Sequence, residues 1–454
     1  MLDDTIAAIA TPIGEGGLAV IRISGTQALA VADTIFSPVG KSSLKPSAAA
    51  SHTIQFGQVV RDGKTIDEVL VAVMRAPRTF TREDIVEITC HGGILPAKMV
   101  LDAALANGAR MAEPGEFTRR AFLNGRIDLA QAEAVADLIH SRTELALSAA
   151  NEQLAGKLSQ RINQLRDDLL KTLAHVEAYI DFPEEDIAEE TKGQLLGRLE
   201  RGVAFMDELL RTANEGQILR RGIRAAIIGR PNAGKSSLLN QLLGHDRAIV
   251  SPIPGTTRDT VEETANIRGL PVVFIDTAGL REARDEIEME GIRRSRESLR
   301  KAEFILHVFD GSEPLTEADE KYLAEFAGKK RILVRNKIDL PPKLSLPGSP
   351  QIVDVCCITG KGIEALKDAI KNLAWSGEIK TEMLQVMINS RHQEALSRAR
   401  EAAVRTIEAL RSGATLELAA MDLRIAVNAV GEIVGKTATE DLLDMIFSQF
   451  CIGK

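Results

Sequence analysis

The segment GRPNAGKSS at 229–237 fits the pattern G-x-x-x-x-G-K-[ST] with Gly229, Gly234, Lys235 and Ser236. In such a loop the glycines let the backbone wrap a phosphate chain with its N–H groups inward. Lys235 reaches the β and γ phosphates, Ser236 ligates Mg²⁺, and Asn232, Ala233 and Ser237 complete the wrap. Three further stretches follow in the order a GTPase needs. GTTRD supplies Thr257, whose hydroxyl completes the Mg²⁺ shell. DTAG (Asp276, Thr277, Ala278, Gly279) closes a strand, where a carboxylate holds that shell and a glycine N–H senses the γ-phosphate. NKID (Asn336, Lys337, Ile338, Asp339) follows another strand, and the Asp339 carboxylate accepts from both the ring N–H and the exocyclic amine of guanine. Adenine presents the opposite donor pattern at that edge, so the set predicts guanine-nucleotide binding.

Two departures qualify this reading. The last base-contacting loop of such domains usually reads Ser-Ala-Lys, whereas CCITGKG offers Cys356, Cys357 and Ile358. A backbone N–H there still meets the guanine carbonyl, and the two cysteines read as small packing residues rather than reactive thiols. Leu280 follows DTAG, so no glutamine stands where Ras-like enzymes orient the attacking water. Asp285, Glu286, Glu288 and Glu290 lie just beyond, each in isolation a solvated charge, and the basic run at 293–301 reads as a solvated helix face.

The elements that must hold these motifs change character along the chain. At 454 residues, with about 150 per domain, roughly three domains are expected. A 44% hydrophobic but 4% aromatic composition favours helix and α/β over an aromatic-rich sandwich. Residues 1–120 alternate β-like runs (LAVIRIS, DEVLVAVM, DIVEITC) with Gly and Pro breaks and a helix at 95–107, an α+β pattern. Residues 121–221 turn helical: Leu154, Leu158, Ile162, Leu165, Leu169, Leu173, Val176 and Ile180 form one stripe that predicts a single long helix ended by Pro183, with another running to about 213. Strands alternate with helices over 222–378, the rhythm of a parallel sheet, and helical periodicity returns over 379–454. The simplest arrangement is a helical domain interrupted by an inserted α/β domain.

The cysteines (Cys90, Cys356, Cys357, Cys451) show no C-x-x-C spacing, which argues against a disulfide framework or cysteine zinc site and fits a reducing cytosol. No basic leader and no apolar run of about 18 residues appears, so a soluble protein is expected. A net charge of -8 argues against blanket nucleic-acid binding without excluding a local basic patch. The chain stops on FCIGK. Cys451 stands where a prenylated cysteine would, but Gly453 and Lys454 match a-a-X poorly and EDLLDMIFSQF before it is acidic.

These motifs, together with ATPIGEGGLAVIRISG, GEFTRRAFLNGRIDLAQAEAVADLI and FCIGK, resemble the MnmE (TrmE) family of bacterial tRNA modification GTPases over essentially the whole chain. The resemblance implies a multidomain α/β and α protein: an N-terminal α+β folate-binding domain, and a helical domain interrupted by an inserted Ras-like P-loop GTPase domain. It implies that Arg22, Glu87, Arg126 and Lys454 bind a tetrahydrofolate one-carbon donor (5-formyl- or 5,10-methylene-tetrahydrofolate), with Cys451 beside the one-carbon unit. The resemblance further implies that the loop Ser251, Pro252, Ile253, Pro254, Gly255, Thr256 and Thr257 lines the nucleotide, and that Asn232, Ser251, Ile253 and Thr256 hold a K⁺ ion. The resemblance also implies that Glu288 is the switch carboxylate that helps position water. The implied reaction adds a carboxymethylaminomethyl or aminomethyl group to carbon 5 of the wobble uridine of certain tRNAs. It takes place in the cytoplasm, by a homodimer that joins the FAD-carrying partner MnmG (GidA) in a heterotetrameric or larger complex. A competing reading is a GTP-switched RNA or ribosome assembly factor that acts by binding alone; binding of a reduced folate separates the two.

Overall fold

The computed structural model describes residues 4–41, 43–181, 189–244, 262–275, 300–346, 352–375 and 386–454. They fall into two compact units, one of Met1–Ala136, Ser159–Leu199 and Glu401–Lys454, the other of Asp137–Leu158 and Glu200–Arg400.

The first unit is built on the strands β1 (Ile6–Ile9), β2 (Leu18–Ser24), β3 (Phe36–Pro38), β4 (Thr53–Arg61), β5 (Lys64–Met74), β6 (Ile85–His91) and β7 (Arg110–Met111), in sheet order β3-β4-β5-β6-β2-β1-β7. Side chains alternate between the two faces of a strand. Ala19, Ile21 and Ile23 of β2, Val86 and Ile88 of β6, and Val69, Val71 and Val73 of β5 share one buried cluster with residues of α1 (Ala28–Ile35) and α2 (Ile94–Ala106). The intervening positions look the other way, and there the antiparallel register sets Arg22 opposite Glu87. Helix α2 matches the stretch expected at 95–107 closely.

A buried guanidinium holds the rim of this sheet. Arg120, on α3 (Glu116–Leu123), is 1% exposed. It donates to Glu116 at 2.9 Å, to Asp4 at 2.7 Å and to Glu83 at 3.1 Å. Glu83 also accepts from the Ser24 hydroxyl, and Arg110 donates to Glu116 at 2.5 Å. Burial alone would push the Glu116 carboxyl up, but the Arg110 and Arg120 bonds outweigh it and hold it below its ordinary range. A buried cation needs such partners, since an unpaired charge there costs several kcal/mol.

After α4 (Leu129–His140) and α5 (Glu144–Leu154) comes α6 (Lys157–Asp181). The continuous stripe expected from Leu154 to Ile180 is therefore broken: Gly156, at φ +83°, separates two helices and leaves Leu154 on α5. A left-handed glycine ends one helix without Cβ strain, and the spacing of three and four survives the break, which is why the periodicity concealed it. Leu158, Ile162, Leu165, Leu169, Leu173 and Val176 are buried along α6 as expected, while Ile180 is half-buried. Pro183 lies outside the described residues. Helix α7 spans Glu189–Arg211.

The second unit contains α8 (Ala213–Arg221), β8 (Ile223–Ile228), α9 (Lys235–Leu243), the hairpin β9 (Glu263–Ile267) and β10 (Leu270–Phe274), β11 (Phe304–Asp310), α10 (Glu317–Glu325), β12 (Arg331–Asn336), β13 (Ile352–Asp354) and α11 (Ile363–Ala374). The sheet order is β13-β12-β11-β8-β10-β9, parallel throughout except for the antiparallel hairpin. Parallel strands covered on both faces must be apolar along their length, and every residue of β11 is buried. The hairpin rests on α5 and α8: Arg142 donates to the Thr264 hydroxyl, and Leu270 joins Ala146, Leu219, Met387 and Trp375 in one cluster. Three helices complete the chain: α12 (Ser390–Ser412), α13 (Leu416–Ile433) and α14 (Glu440–Phe447).

Besides Asp310 at its end, β11 carries one polar residue, His307. It is 0% exposed, its ring centroid lies 4.1 Å from that of Phe309, and neither nitrogen has a partner among the described residues. Burial first, then the nearby Arg331 charge, lowers its pKa to about 4. The unfolded chain therefore takes up a proton that the folded chain refuses, so this contribution to stability is complete above about pH 6.5 and is lost as the pH falls toward 4. By urea unfolding, wild-type protein is expected to lose stability between pH 7 and pH 4.5, by an amount on the order of 2–3 kcal/mol from this residue. His307→Phe should remove that part of the pH dependence; an unchanged slope would contradict the assignment.

Candidate functional site

Strand β8 delivers the chain into the loop 229–234, and α9 starts at Lys235. The glycines there are required by space. A Cβ on Gly229 (φ +148°) would lie 2.2 Å from the Val308 carbonyl oxygen, and one on Gly234 (φ +95°) 2.1 Å from Asn336 Nδ2. Asn232 also takes a positive φ, 61°, and is exposed on the loop. The Lys235 ammonium folds over the loop, 2.9 Å from the Gly229 carbonyl and 2.8 Å from that of Arg230, and burial lowers its pKa. Ser236 is half-buried on the first turn of α9, and Ser237 is exposed. Arg230 braces the loop from outside through Asp319 at 3.0 Å and Glu313 at 3.2 Å.

NKID enters this cradle from the end of β12. Asn336 is 2% exposed, donates to the Ala233 carbonyl at 3.0 Å and accepts from the Cys357 N–H at 3.3 Å, so one side chain ties the phosphate loop to the base loop. Lys337 (φ +62°) reaches Asp310 at 2.5 Å. Burial would raise the Asp310 pKa, but the bonds from Lys337 and Ser312 prevail and lower it. Asp339 is exposed at the open end, and Ile338 is half-buried behind it. Cys356 and Cys357 are 1% and 8% exposed, as packing residues would be, while Ile358 is 85% exposed. Gln241 on α9 donates to the Cys357 carbonyl at 2.8 Å.

The structure thus gathers Asn232, Ala233, Gly234, Lys235, Ser236, Ser237, Asn336, Lys337, Ile338, Asp339, Cys356, Cys357 and Ile358 at the C-terminal ends of parallel strands, where open α/β sheets take ligands. Ser251, Pro252, Ile253, Pro254, Gly255, Thr256, Thr257, Asp276, Thr277, Ala278, Gly279 and Glu288 lie outside the described residues. Sequence reading missed Arg230, Gln241 and Asp310. The aspartate that ends β11 in FDGSE offered a signal, being placed to meet a cation one strand over; Gln241 offered none. Among the described residues no cluster of His, Cys, Asp or Glu has the makings of a metal centre. The loop instead suits Mg²⁺ held jointly by the Ser236 hydroxyl and a bound phosphate.

A second locus lies in the other unit. Arg22 pairs with Glu87 at 2.8 Å and donates to the Gly453 carbonyl at 3.3 Å, with its guanidinium 5.5 Å from the Phe117 ring centre. Phe117 shares a cluster with Phe80, over which Arg126 sits at 5.5 Å while donating to the Thr79 carbonyl at 2.6 Å. The tail arrives by packing: Leu443, Ile446, Phe447 and Phe450 bury against Leu129 and Phe122, after which Ile452 bridges to Pro114. Gly453 (φ +93°) lies so close to β1 that a Cβ would meet the Ile9 carbonyl at 2.5 Å. Cys451 is exposed and Lys454 half-buried. Arg22, Glu87 and the tail therefore meet, with Arg126 linked to them through two aromatic rings. Phe80 and Phe117 were not anticipated.

The model of the MnmE helical domain matches residues 129–451, and that of the GTP-binding protein TrmE N-terminus matches residues 5–126. The tRNA modification GTPase MnmE of Geobacillus thermodenitrificans (strain NG80-2) is 49% identical over 462 residues, covering 99% of each chain. The chain belongs to the MnmE family. The tRNA modification GTPase MnmE of Bacillus subtilis (strain 168) is 46% identical over 99% of this chain and 100% of its own. Among solved structures, the G domain of the T. maritima FeoB iron transporter aligns with 34% of this chain and 99% of its own, at 26% identity and a TM-score of 0.25. The two family models and the strand order described above give the fold of the family: multidomain, with an N-terminal domain, a helical domain and an inserted P-loop GTPase domain.

Gly234→Ala adds a methyl group where Asn336 already stands and strains the left-handed backbone. GTP affinity, measured by calorimetry, is expected to fall at least about tenfold, the equivalent of about 1.4 kcal/mol. Wild-type affinity in the variant would contradict this account of the loop.

Proposed function

We propose that this GTP hydrolase couples nucleotide turnover to modification of tRNA at carbon 5 of the wobble uridine. In this reading a carboxymethylaminomethyl or aminomethyl group is added, with a tetrahydrofolate derivative, 5-formyl- or 5,10-methylene-tetrahydrofolate, as one-carbon donor. The observation that carries the folate part is the convergence of Arg22, Glu87 and the Gly453 carbonyl, three groups far apart in sequence. Two arginines over aromatic rings suit a ligand with a flat heterocycle and an anionic tail. In this reading Cys451, exposed two residues before Gly453, belongs to the site, and Lys454 supplies a terminal cation.

On the nucleotide side, Lys235 neutralises the β and γ phosphates. Ser236 and Thr257 would hold Mg²⁺, which polarises the transferred phosphoryl group. Asn232, Ser251, Ile253 and Thr256 would hold K⁺ near the γ-phosphate, and Glu288 positions water. The working assembly is a homodimer whose G domains meet through this region. It joins an FAD-carrying partner of the MnmG (GidA) kind and tRNA in the cytoplasm. Domain limits of 1–120, 121–221, 222–378 and 379–454 accompany this reading. Among the described residues no helix is long and apolar enough to cross a membrane.

Calorimetry with 5-formyltetrahydrofolate tests the first locus. Wild-type protein is expected to bind it, and deletion of residues 451–454 should weaken binding at least about tenfold while GTP hydrolysis stays within about twofold. Absence of folate binding in the wild type would favour the assembly-factor reading. For the second locus, hydrolysis should run faster in K⁺ than in Na⁺, and Asn232→Ala should shrink the difference. Equal rates in the two salts would remove K⁺ from the mechanism.

A further inference from the structure

In the N-terminal unit Arg22, Arg110, Arg119 and Arg120 each pair with a carboxylate. Arg78, Arg82 and Arg126 do not. All three are exposed, and among the described residues none of them meets an acidic side chain. They stand on two segments fastened to each other, the loop 78–83 between β5 and β6 and the turn 124–126 after α3. Arg126 donates to the Thr79 carbonyl, Asn124 Nδ2 to the Thr81 carbonyl at 2.7 Å, and Arg82 Nη1 back to the Asn124 carbonyl at 2.9 Å. Arg82 takes a positive φ of 59°, and a Cβ on Gly125 (φ +70°) would lie 3.6 Å from its Nη1. The Arg82 guanidinium is thus set beside the residue that precedes Arg126. The acids of the loop are committed elsewhere, Glu83 to Arg120 and Ser24, and Asp84 to the Ala76 N–H. We infer that Arg82, with Arg78, extends the folate site beyond Arg126 and receives a poly-γ-glutamate tail, so that the donor this chain prefers is a folate polyglutamate.

This inference rests on the folate reading of the first locus. With Arg22 and Glu87 at the heterocycle, Arg126 over Phe80 takes the first glutamate. Each further γ-linked residue adds one carboxylate on a flexible chain, and the next cations it meets are those of the 78–83 loop. Arg82 spends one N–H on the Asn124 carbonyl, which aims the guanidinium and leaves the rest of its fork for a carboxylate. A chain of net charge -8 repels a polyanion in general, so such a tail is held only where cations stand without acids.

Calorimetry on the full-length protein with 5-formyltetrahydrofolate and its triglutamyl form provides the test. The triglutamate is expected to bind about tenfold tighter at low salt, the size of two exposed guanidinium–carboxylate pairs, and the advantage should shrink as ionic strength rises. Arg82→Gln should lower that preference at least about threefold while monoglutamate affinity stays within about twofold of wild type. Arg82→Lys, which keeps the charge, should hold the preference within about twofold of wild type. A role confined to bracing the turn would weaken both ligands alike. Equal affinities in the wild type, a preference unaltered in Arg82→Gln, or an equal loss for the two ligands overturns the proposal. Failure of the wild-type chain to bind either form would instead refute the folate reading on which it rests.

Discussion

The nucleotide site depends on the Asn336 amide. Its nitrogen holds the Ala233 carbonyl and its oxygen holds the Cys357 N–H, so the phosphate loop and the base loop share one rigid anchor at the end of β12. Removal of either bond would leave a buried polar group unsatisfied, a cost of about 1–3 kcal/mol. The same amide explains why Gly234 tolerates no side chain. Backbone groups of the last loop are held by Asn336 and Gln241, at the Cys357 N–H and carbonyl.

In the N-terminal sheet, charge burial plays the comparable part. Arg120 satisfies itself with groups from the start of the chain, the approach to β6 and its own helix, which fixes the rim from which α3 departs. That helix in turn offers Phe122 to the C-terminal helix and Phe117 to Arg22. A cluster with no substrate contact in view thus sets the distance across which the last residues must reach. Arg22 and Glu87, one pair of the β2–β6 ladder, then receive the Gly453 carbonyl at the far end of that reach.

Legibility in the sequence followed the range of the physics. The phosphate loop was readable because its glycines answer a local demand for positive φ and close approach. Strands β2, β5 and β6 and helix α2 were readable because a single period governs each. The break at Gly156 was not, since two helices in succession can preserve a spacing of three and four. Asn336, Asp339 and Lys235 announced themselves by motif, but Gln241, Asp310 and Arg230 act across the sheet, where no local pattern marks a partner. The folate candidates came through family resemblance alone; the two phenylalanines that line them up are visible only once α3 is folded against the sheet.

Trp375 ends α11 at 2% exposure, packed with Leu270 of the β9–β10 hairpin and with Ala146 and Leu219 of α5 and α8. The chain has one tryptophan and two tyrosines. Light absorbed at the red edge of the protein band is therefore emitted from that single joint, where the hairpin rests on the helices. The colour and lifetime of that emission thus report how tightly the hairpin packs on the helices, without any added dye.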